Sequence, residues 1–211
     1  MADEQPRTRS VKIGEDERRG WSSERPRRDG VQRPPDISAR CRVLSPSDHL
    51  RYSPGSLLVI VSASASERDR FAGRLIDKRF ILSLDKVREL LAGRIADEDI
   101  AERAPEILDG AIVKRLEAGE TVVIAAEGLY ADERERYARL AAAAKRPRHL
   151  LLLEAAREDV QPEDLTTLNE LRRRLDAGEL GKEGFQTAVR IGGGAIGELK
   201  RIVFQHPPRE D

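Results

Sequence analysis

The sequence predicts an α/β protein with a five-stranded, mainly parallel sheet behind a disordered N-terminal tail. Three observations carry this. From residue 57 onward, short aliphatic runs alternate with longer charged segments of helical period. The runs are continuously apolar rather than alternating, as in strands covered on both faces. Segments of roughly ten to twenty residues separate them, the length of a crossover helix in a βαβ unit.

Residues 1–54 are rich in Arg, Pro, Ser and acids, as in Arg25-Pro26-Arg27-Arg28-Asp29-Gly30 and Arg33-Pro34-Pro35-Asp36. Apolar residues there follow no period, so little surface is available to offset the entropy of ordering. The expectation is a solvated tail, with Trp21 and Cys41-Arg42-Val43-Leu44 as its docking candidates. Pro54-Gly55 marks the boundary of a domain over 55–211.

Within the domain, Leu57-Leu58-Val59-Ile60-Val61 reads as a buried strand. Glu67 to Asp77 follows as a helix with Phe71, Leu75 and Ile76 on one face. Phe80-Ile81-Leu82-Ser83 is a second strand and Lys86 to Ala92 a short helix. Asp97 to Ala118 is a longer helix, striped by Ile107, Leu108, Ala111, Ile112 and Leu116, with Pro105 beginning or kinking part of it and Gly119 ending it. Thr121 to Ala125 is a third strand, Asp132 to Lys145 a helix, and His149 to Leu153 a fourth strand. Pro162 to Asp176 reads as a helix with proline in its first turn, Phe185 to Ile191 as a fifth strand, and Glu198 to Gln205 as a strand or short helix.

Composition narrows the function classes. Lys+Arg and Asp+Glu are 38 each, so overall charge gives no route to nucleic acid and a local patch is required. Cys41 is the single cysteine, which excludes an internal disulfide and a cysteine-based zinc cluster. The longest apolar stretches are far too short to span a bilayer. The N-terminal Met-Ala-Asp-Glu lacks an apolar signal core, so a soluble cytoplasmic protein without a membrane partner is expected.

In a parallel sheet, ligands bind at the carboxyl ends of the strands, so the turn after the first strand is where chemistry is expected. A phosphate-cradling turn reads G-x-x-x-x-G-K-[ST]: backbone N–H groups face the phosphates, Lys neutralises charge and the hydroxyl holds Mg²⁺. Here the turn is Ser62-Ala63-Ser64-Ala65-Ser66-Glu67-Arg68-Asp69. Its length fits the pattern, but Ser62 and Glu67 stand for the glycines, Arg68 for the lysine and Asp69 for the hydroxyl residue. Glu67 adds negative charge where a polyanion would sit; unit charges a few Å apart repel by ~1–4 kcal/mol.

From about Leu57 to the C-terminus the chain resembles the P-loop kinase superfamily, and within it the small AAA-type kinases and the kinase module of bacterial polynucleotide kinase-phosphatases. The likeness rests on the Leu57–Val61 strand with its turn and Phe71-Ala72, and on Ile81-Leu82-Ser83-Leu84-Asp85-Lys86-Val87-Arg88, similar to the family's S-S-D-x-x-R. It rests further on Ile112 to Val123, and on Leu171 to Val189 with its L-R-x-x-L…E-G-F…V pattern. The resemblance implies a three-layer fold, Asp85 as the base that accepts a hydroxyl proton, and Arg88 as the group that binds the acceptor phosphate. It places Ser62, Ser66, Arg68 and Asp69 at nucleotide-binding positions, with Asp69 the metal ligand if the site is active. Asp85 and Arg88 also form an ordinary i, i+3 helix pair. The family's D-A-T-N at the end of the third strand is replaced by Ile124-Ala125-Ala126-Glu127, and Arg157 is the lone arginine in its lid region, Ala155 to Glu163.

Two functions follow from the resemblance. The first is a degenerate P-loop kinase-like protein without phosphotransfer, needing no cofactor and acting as a binding or regulatory partner of a protein or nucleic acid. The alternative is an atypical kinase that uses ATP and Mg²⁺ to phosphorylate a polynucleotide 5′-hydroxyl or a small hydroxyl-bearing acceptor. A structural or oligomeric scaffold is a third reading.

Other features have plainer readings. Gly192-Gly193-Gly194-Ala195-Ile196-Gly197 fits G-x-G-x-x-G, but too little chain follows for a βαβ unit, so a loop or hinge is expected. His49, His149 and His206 have no metal-ligand spacing, and His149 reads as structural. Ser62, Ser64 and Ser66 lack a nucleophile elbow. Arg172-Arg173-Arg174 reads as a solvated helix face; grouped with Lys145, Arg146 and Arg148 it would make a polyanion patch.

Overall fold

The computed structural model describes the backbone of residues 40–43 and the full residues 50–206, all within a unit that runs from Pro35 to Asp211. Eight strands and six helices follow in the order β1 (Arg40–Val43), β2 (Leu50–Tyr52), β3 (Leu57–Ser62), α1 (Ala65–Leu75), β4 (Ile81–Ser83), α2 (Leu84–Leu91), α3 (Asp97–Glu117), β5 (Val122–Ala125), α4 (Ala131–Ala143), β6 (Arg148–Leu153), α5 (Leu165–Asp176), β7 (Thr187–Ile191), α6 (Gly194–Glu198) and β8 (Ile202–Phe204).

The main sheet has the order β1-β7-β6-β3-β5-β4, and every pair in it is parallel. The strands expected from the domain sequence, β3 to β7, make up the five-stranded parallel sheet, and β1 extends it at one edge. β3 is central: Leu57 is in register with Val122 of β5 and Arg148 of β6.

Alternate residues of β3 supply two cores, which is why its sequence is apolar throughout. Leu57, Val59 and Val61 pack with Leu84 of α2, with Leu108, Ile112 and Leu116 of α3, with Tyr137 of α4 and with Leu171 of α5. Leu58 and Ile60 pack on the other face with Phe71 and Leu75 of α1 and with Leu50, Tyr52 and Ile202 of the small β2–β8 sheet. The result is three layers, with α2 to α5 on one face and α1 with β2–β8 on the other.

Three expectations are revised. β1 and β2 fall inside the segment 1–54 that the sequence reads as a solvated tail, and β1 pairs with β7 and β2 with β8. Trp21, His49 and Leu44 lie outside the described residues. The Gly192–Gly197 run is not simply a loop: Gly193 takes φ +55° and the chain enters α6. α3 runs from Asp97 to Glu117 with Pro105 inside it, so the proline does not begin it. Among the described residues no helix is long and apolar enough to cross a membrane.

Candidate functional site

The connections decide where a crevice opens. α1 leaves β3 onto one face of the sheet, whereas α4 leaves β5 and α5 follows β6 on the opposite face. Neighbouring strands whose connections diverge leave a crevice beyond their carboxyl ends. Ser62, Ala126 and Glu154 mark those ends beside β3.

The turn after β3 is tight. β3 extends to Ser62, and only Ala63 and Ser64 intervene before α1 begins at Ala65. The Ser62 hydroxyl accepts from the Ser64 amide at 3.2 Å. Ser64 is the N-cap: its hydroxyl accepts from the Glu67 amide at 3.4 Å and lies 3.2 Å from the Ser66 hydroxyl. A serine side chain thus takes one of the helix N-terminal donors that would otherwise face outward. Glu67 sits in the first turn of α1 with Oε2 buried and unpartnered.

Arg68 points inward. It is 2 % exposed, donates to the Ala126 carbonyl beyond β5, and pairs through Nε with Asp69 Oδ1 at 2.8 Å. Asp69 is exposed and lines a groove of about 390 Å³ with Lys78, Ser83, Asp85 and Lys86. α2 begins at the end of β4, where the Ser83 hydroxyl accepts from the Lys86 amide at 3.3 Å, and this cap places Asp85 in the first turn.

Arg88, one turn on, touches two carboxylates. Its Nη1 donates to Asp85 Oδ1 at 3.2 Å, and its two terminal nitrogens grip Glu127, with Nη2 to Oε2 at 3.3 Å. The Glu127 carboxylate, with Asp85 adding to it, raises the guanidinium pKa above its ordinary value. Glu127 and Arg88 line a second groove of about 480 Å³ with Tyr130, Glu133 and Arg136. Glu133 secures the loop after β5: its carboxylate accepts from the Glu127 amide at 2.9 Å and the Gly128 amide at 3.1 Å.

Asp69 and Asp85 therefore share one groove, and Asp85 and Arg88 share an ion pair, whereas Ser62 and Arg68 are turned into the fold and Ser66 is exposed on α1. Arg157 lies exposed in a 3₁₀ turn, Arg157–Asp159. The arginine run on α5 is less uniform than a solvated face. Arg172 binds Glu154 through Nε at 3.0 Å and Arg174 binds the buried Glu183, while Arg173, and Arg174 with it, also pairs at the exposed surface with Glu170. Arg146 and Arg148 donate to the carbonyls of Leu116 and Gly184. Glu127 was visible in sequence as the polar residue displaced from the D-A-T-N position; Glu133 carried no signal beyond a charged helix start.

A family model described as "AAA domain" matches residues 57–163, a span from β3 to the 3₁₀ turn ahead of α5. The chain belongs to this AAA domain family. The family is P-loop NTPase-like and kinase-related, so the AAA domain places this chain in the P-loop kinase superfamily. Comparison with curated proteins finds no match. Every candidate residue named above from the turn after β3 to Glu154 lies inside the AAA domain span.

Proposed function

We propose that this AAA-domain protein has the P-loop kinase scaffold without phosphotransfer, and acts by binding a protein or nucleic-acid partner at the carboxyl edge of its sheet. The observation that carries this reading is the direction of Arg68. At the position of the phosphate-binding lysine, its guanidinium is buried against the Ala126 carbonyl and Asp69. A triphosphate would have to break that contact to gain a cation, and would then meet Glu67 in the first turn of α1. The Ser64 cap adds to this, since it holds the Glu67 amide that a phosphate loop would turn toward its ligand. These residues do not fit ATP with its Mg²⁺, and no cofactor is assigned.

Among the grooves at this edge, one lined by Asp69 and Asp85 and one lined by Arg88 and Glu127 are open to a partner. Calorimetric titration of the protein with Mg·ATP tests the reading: no heat of binding at millimolar nucleotide is expected, and micromolar binding overturns it.

One observation favours the alternative of an atypical kinase. Asp69 and Asp85 line the same groove, and two carboxylates in one groove suit a metal-bound phosphate donor and a hydroxyl acceptor. That reading requires ATP-dependent labelling of a polynucleotide 5′-hydroxyl or small alcohol that Asp85→Ala abolishes. Equal labelling by the variant counts against it.

A further inference from the structure

The amino ends of the strands carry a groove of their own. Gly55 leads into β3, Phe80 into β4 and Thr121 into β5, and they line a groove of about 530 Å³ with Arg79, Arg115 of α3 and Phe204 of β8. β3, β5 and β4 are parallel neighbours, so this groove lies at the opposite end of the sheet from the turn after β3.

The rings in the groove are braced. Phe204 stacks on Tyr52, with centroids 5.9 Å apart and planes at 28°, and meets Phe80 edge-on at 5.6 Å. Phe80 and Phe204 are half-buried, so each keeps surface toward solvent. The Arg79 guanidinium lies over Phe80, 4.6 Å from the ring centre, and its side chain is 73 % exposed. Braced rings and a planar guanidinium are surfaces on which a nucleobase stacks.

Cations frame the rings. Arg115 Nη1 donates to the Arg79 carbonyl at 2.7 Å, which ties the two arginines together. Arg146, ahead of β6, stands beside the same wall: a Cβ on Gly55 would lie 3.6 Å from its Nη1, and one on Gly119 would lie 3.4 Å from its Nη2. Among the described residues neither Arg115 nor Arg146 pairs with a carboxylate; both are bonded to backbone carbonyls. The carboxylates here are Glu120, which lines the groove, and Asp77, which meets Arg79 Nε at 3.1 Å. The Asp77 pair is exposed on both sides and holds weakly. At the carboxyl edge, by contrast, Arg68, Arg88 and Arg172 are all taken by carboxylates.

We propose that the groove at the amino edge binds single-stranded nucleic acid, with bases stacked on Phe204 and Arg79 and with phosphates on Arg115 and Arg146. Flat faces set beside guanidinium forks match a strand in which bases and phosphates alternate. An acidic peptide would engage the cations and leave the rings unused, and a duplex keeps its base faces stacked inside. This surface is separate from the one proposed above, which lies at the opposite edge, and does not depend on it.

The full chain is titrated at low ionic strength into fluorescein-labelled oligothymidylate and followed by anisotropy, with polyglutamate and the duplex formed with oligodeoxyadenylate as competitors. Wild type is expected to bind the single strand at micromolar concentration and to prefer it to both competitors. Arg79→Gln, and separately Arg115→Gln/Arg146→Gln, are each expected to weaken binding and to flatten its dependence on salt. Phe204→Leu is expected to weaken binding about fivefold or more with the salt dependence unchanged. Thermal melts check the fold of each variant, and Arg79→Gln, at an exposed position, decides should the others unfold. No binding by wild type, equal competition by polyglutamate or by the duplex, or binding unchanged in Arg79→Gln overturns the proposal. Binding lost in Arg88→Gln but kept in Arg79→Gln moves the nucleic acid to the carboxyl edge, which overturns this proposal and leaves the function proposed above standing.

Discussion

Arg134 of α4 and Glu183, ahead of β7, form a two-pronged ion pair inside the protein: Nε to Oε2 and Nη2 to Oε1 are both 2.9 Å, and the side chains are 2 % and 1 % exposed. Arg134 also donates to the Leu129 carbonyl, and Arg174 of α5 reaches Glu183 as well. The pair thus ties α4, the loop after β5 and the approach to β7 together, and α4 is the helix that carries Glu133.

Removing Glu183 leaves the Arg134 charge buried without a carboxylate, which costs about 3–5 kcal/mol, whereas Arg174 still reaches Glu183 when Arg134 is removed. Glu183→Leu is expected to lower unfolding stability in urea by that amount. Arg134→Met/Glu183→Leu is expected to recover part of it, because the double change removes the uncompensated charge. A loss under about 1 kcal/mol in the single variant would contradict the role given to this pair.

Arg68→Met separates a structural arginine from a ligand-facing one. The variant keeps the bulk of the side chain and deletes the donor to the Ala126 carbonyl, so a loss of about 1–3 kcal/mol is expected in chemical denaturation. An arginine poised for a phosphate would be replaceable at no cost to the free protein. Unchanged stability would therefore count against the inward orientation on which the proposed function rests.

His149 gives the protein an acid sensitivity. It lies on β6 with 7 % exposure, its Nδ1 is 2.8 Å from the Thr187 hydroxyl, its Nε2 is buried and unpartnered, and its ring centroid is 4.7 Å from that of Tyr52. Burial lowers its pKa from 6.5 to about 4, so the folded protein holds it neutral where the unfolded chain begins to protonate it. The unfolded state then binds more protons between these values. The stabilisation is fully present above pH 6.5 and is lost as pH falls toward 4. At pH 5 the loss amounts to about 2 kcal/mol relative to neutral pH. Subtracting the stability–pH curve of His149→Phe from that of wild type should expose this slope, and a flat difference between pH 7 and 5 would refute it.

Gly55, at the start of the domain, has φ +72°, and a Cβ there would stand 2.9 Å from the Gly119 carbonyl oxygen. Both the backbone conformation and the close approach exclude a side chain. Gly55→Ala is expected to cost more than about 1 kcal/mol, read as a lowered melting temperature. A variant that melts with wild type would place this turn differently.

What the sequence made legible was what periodicity and turn chemistry report. Leu57–Val61 declared a strand buried on both faces because every residue is aliphatic, and Leu108, Ile112 and Leu116 declared the inner face of α3 by their spacing. β1 was illegible for the opposite reason. Arg40–Val43 has no period, and its strand status comes from pairing with residues 187–190, a contact far away in sequence. Arg134 and Glu183 sit among so many charged residues that nothing singled them out for burial. At the site, Asp85 and Arg88 were visible through the D-x-x-R spacing, and Arg68 through its position in the turn. The direction Arg68 takes was not, because its target is a backbone carbonyl beyond another strand.

The proposed function requires that the turn after β3 does not accept a triphosphate. Isothermal titration of wild-type protein with Mg·ATP, run beside a Ser62→Gly/Glu67→Gly/Arg68→Lys/Asp69→Thr variant that writes a G-x-x-x-x-G-K-T turn back into the chain, tests it most directly. No measurable heat of binding is expected for the wild type up to millimolar nucleotide. Saturable micromolar binding by the unaltered chain would contradict it.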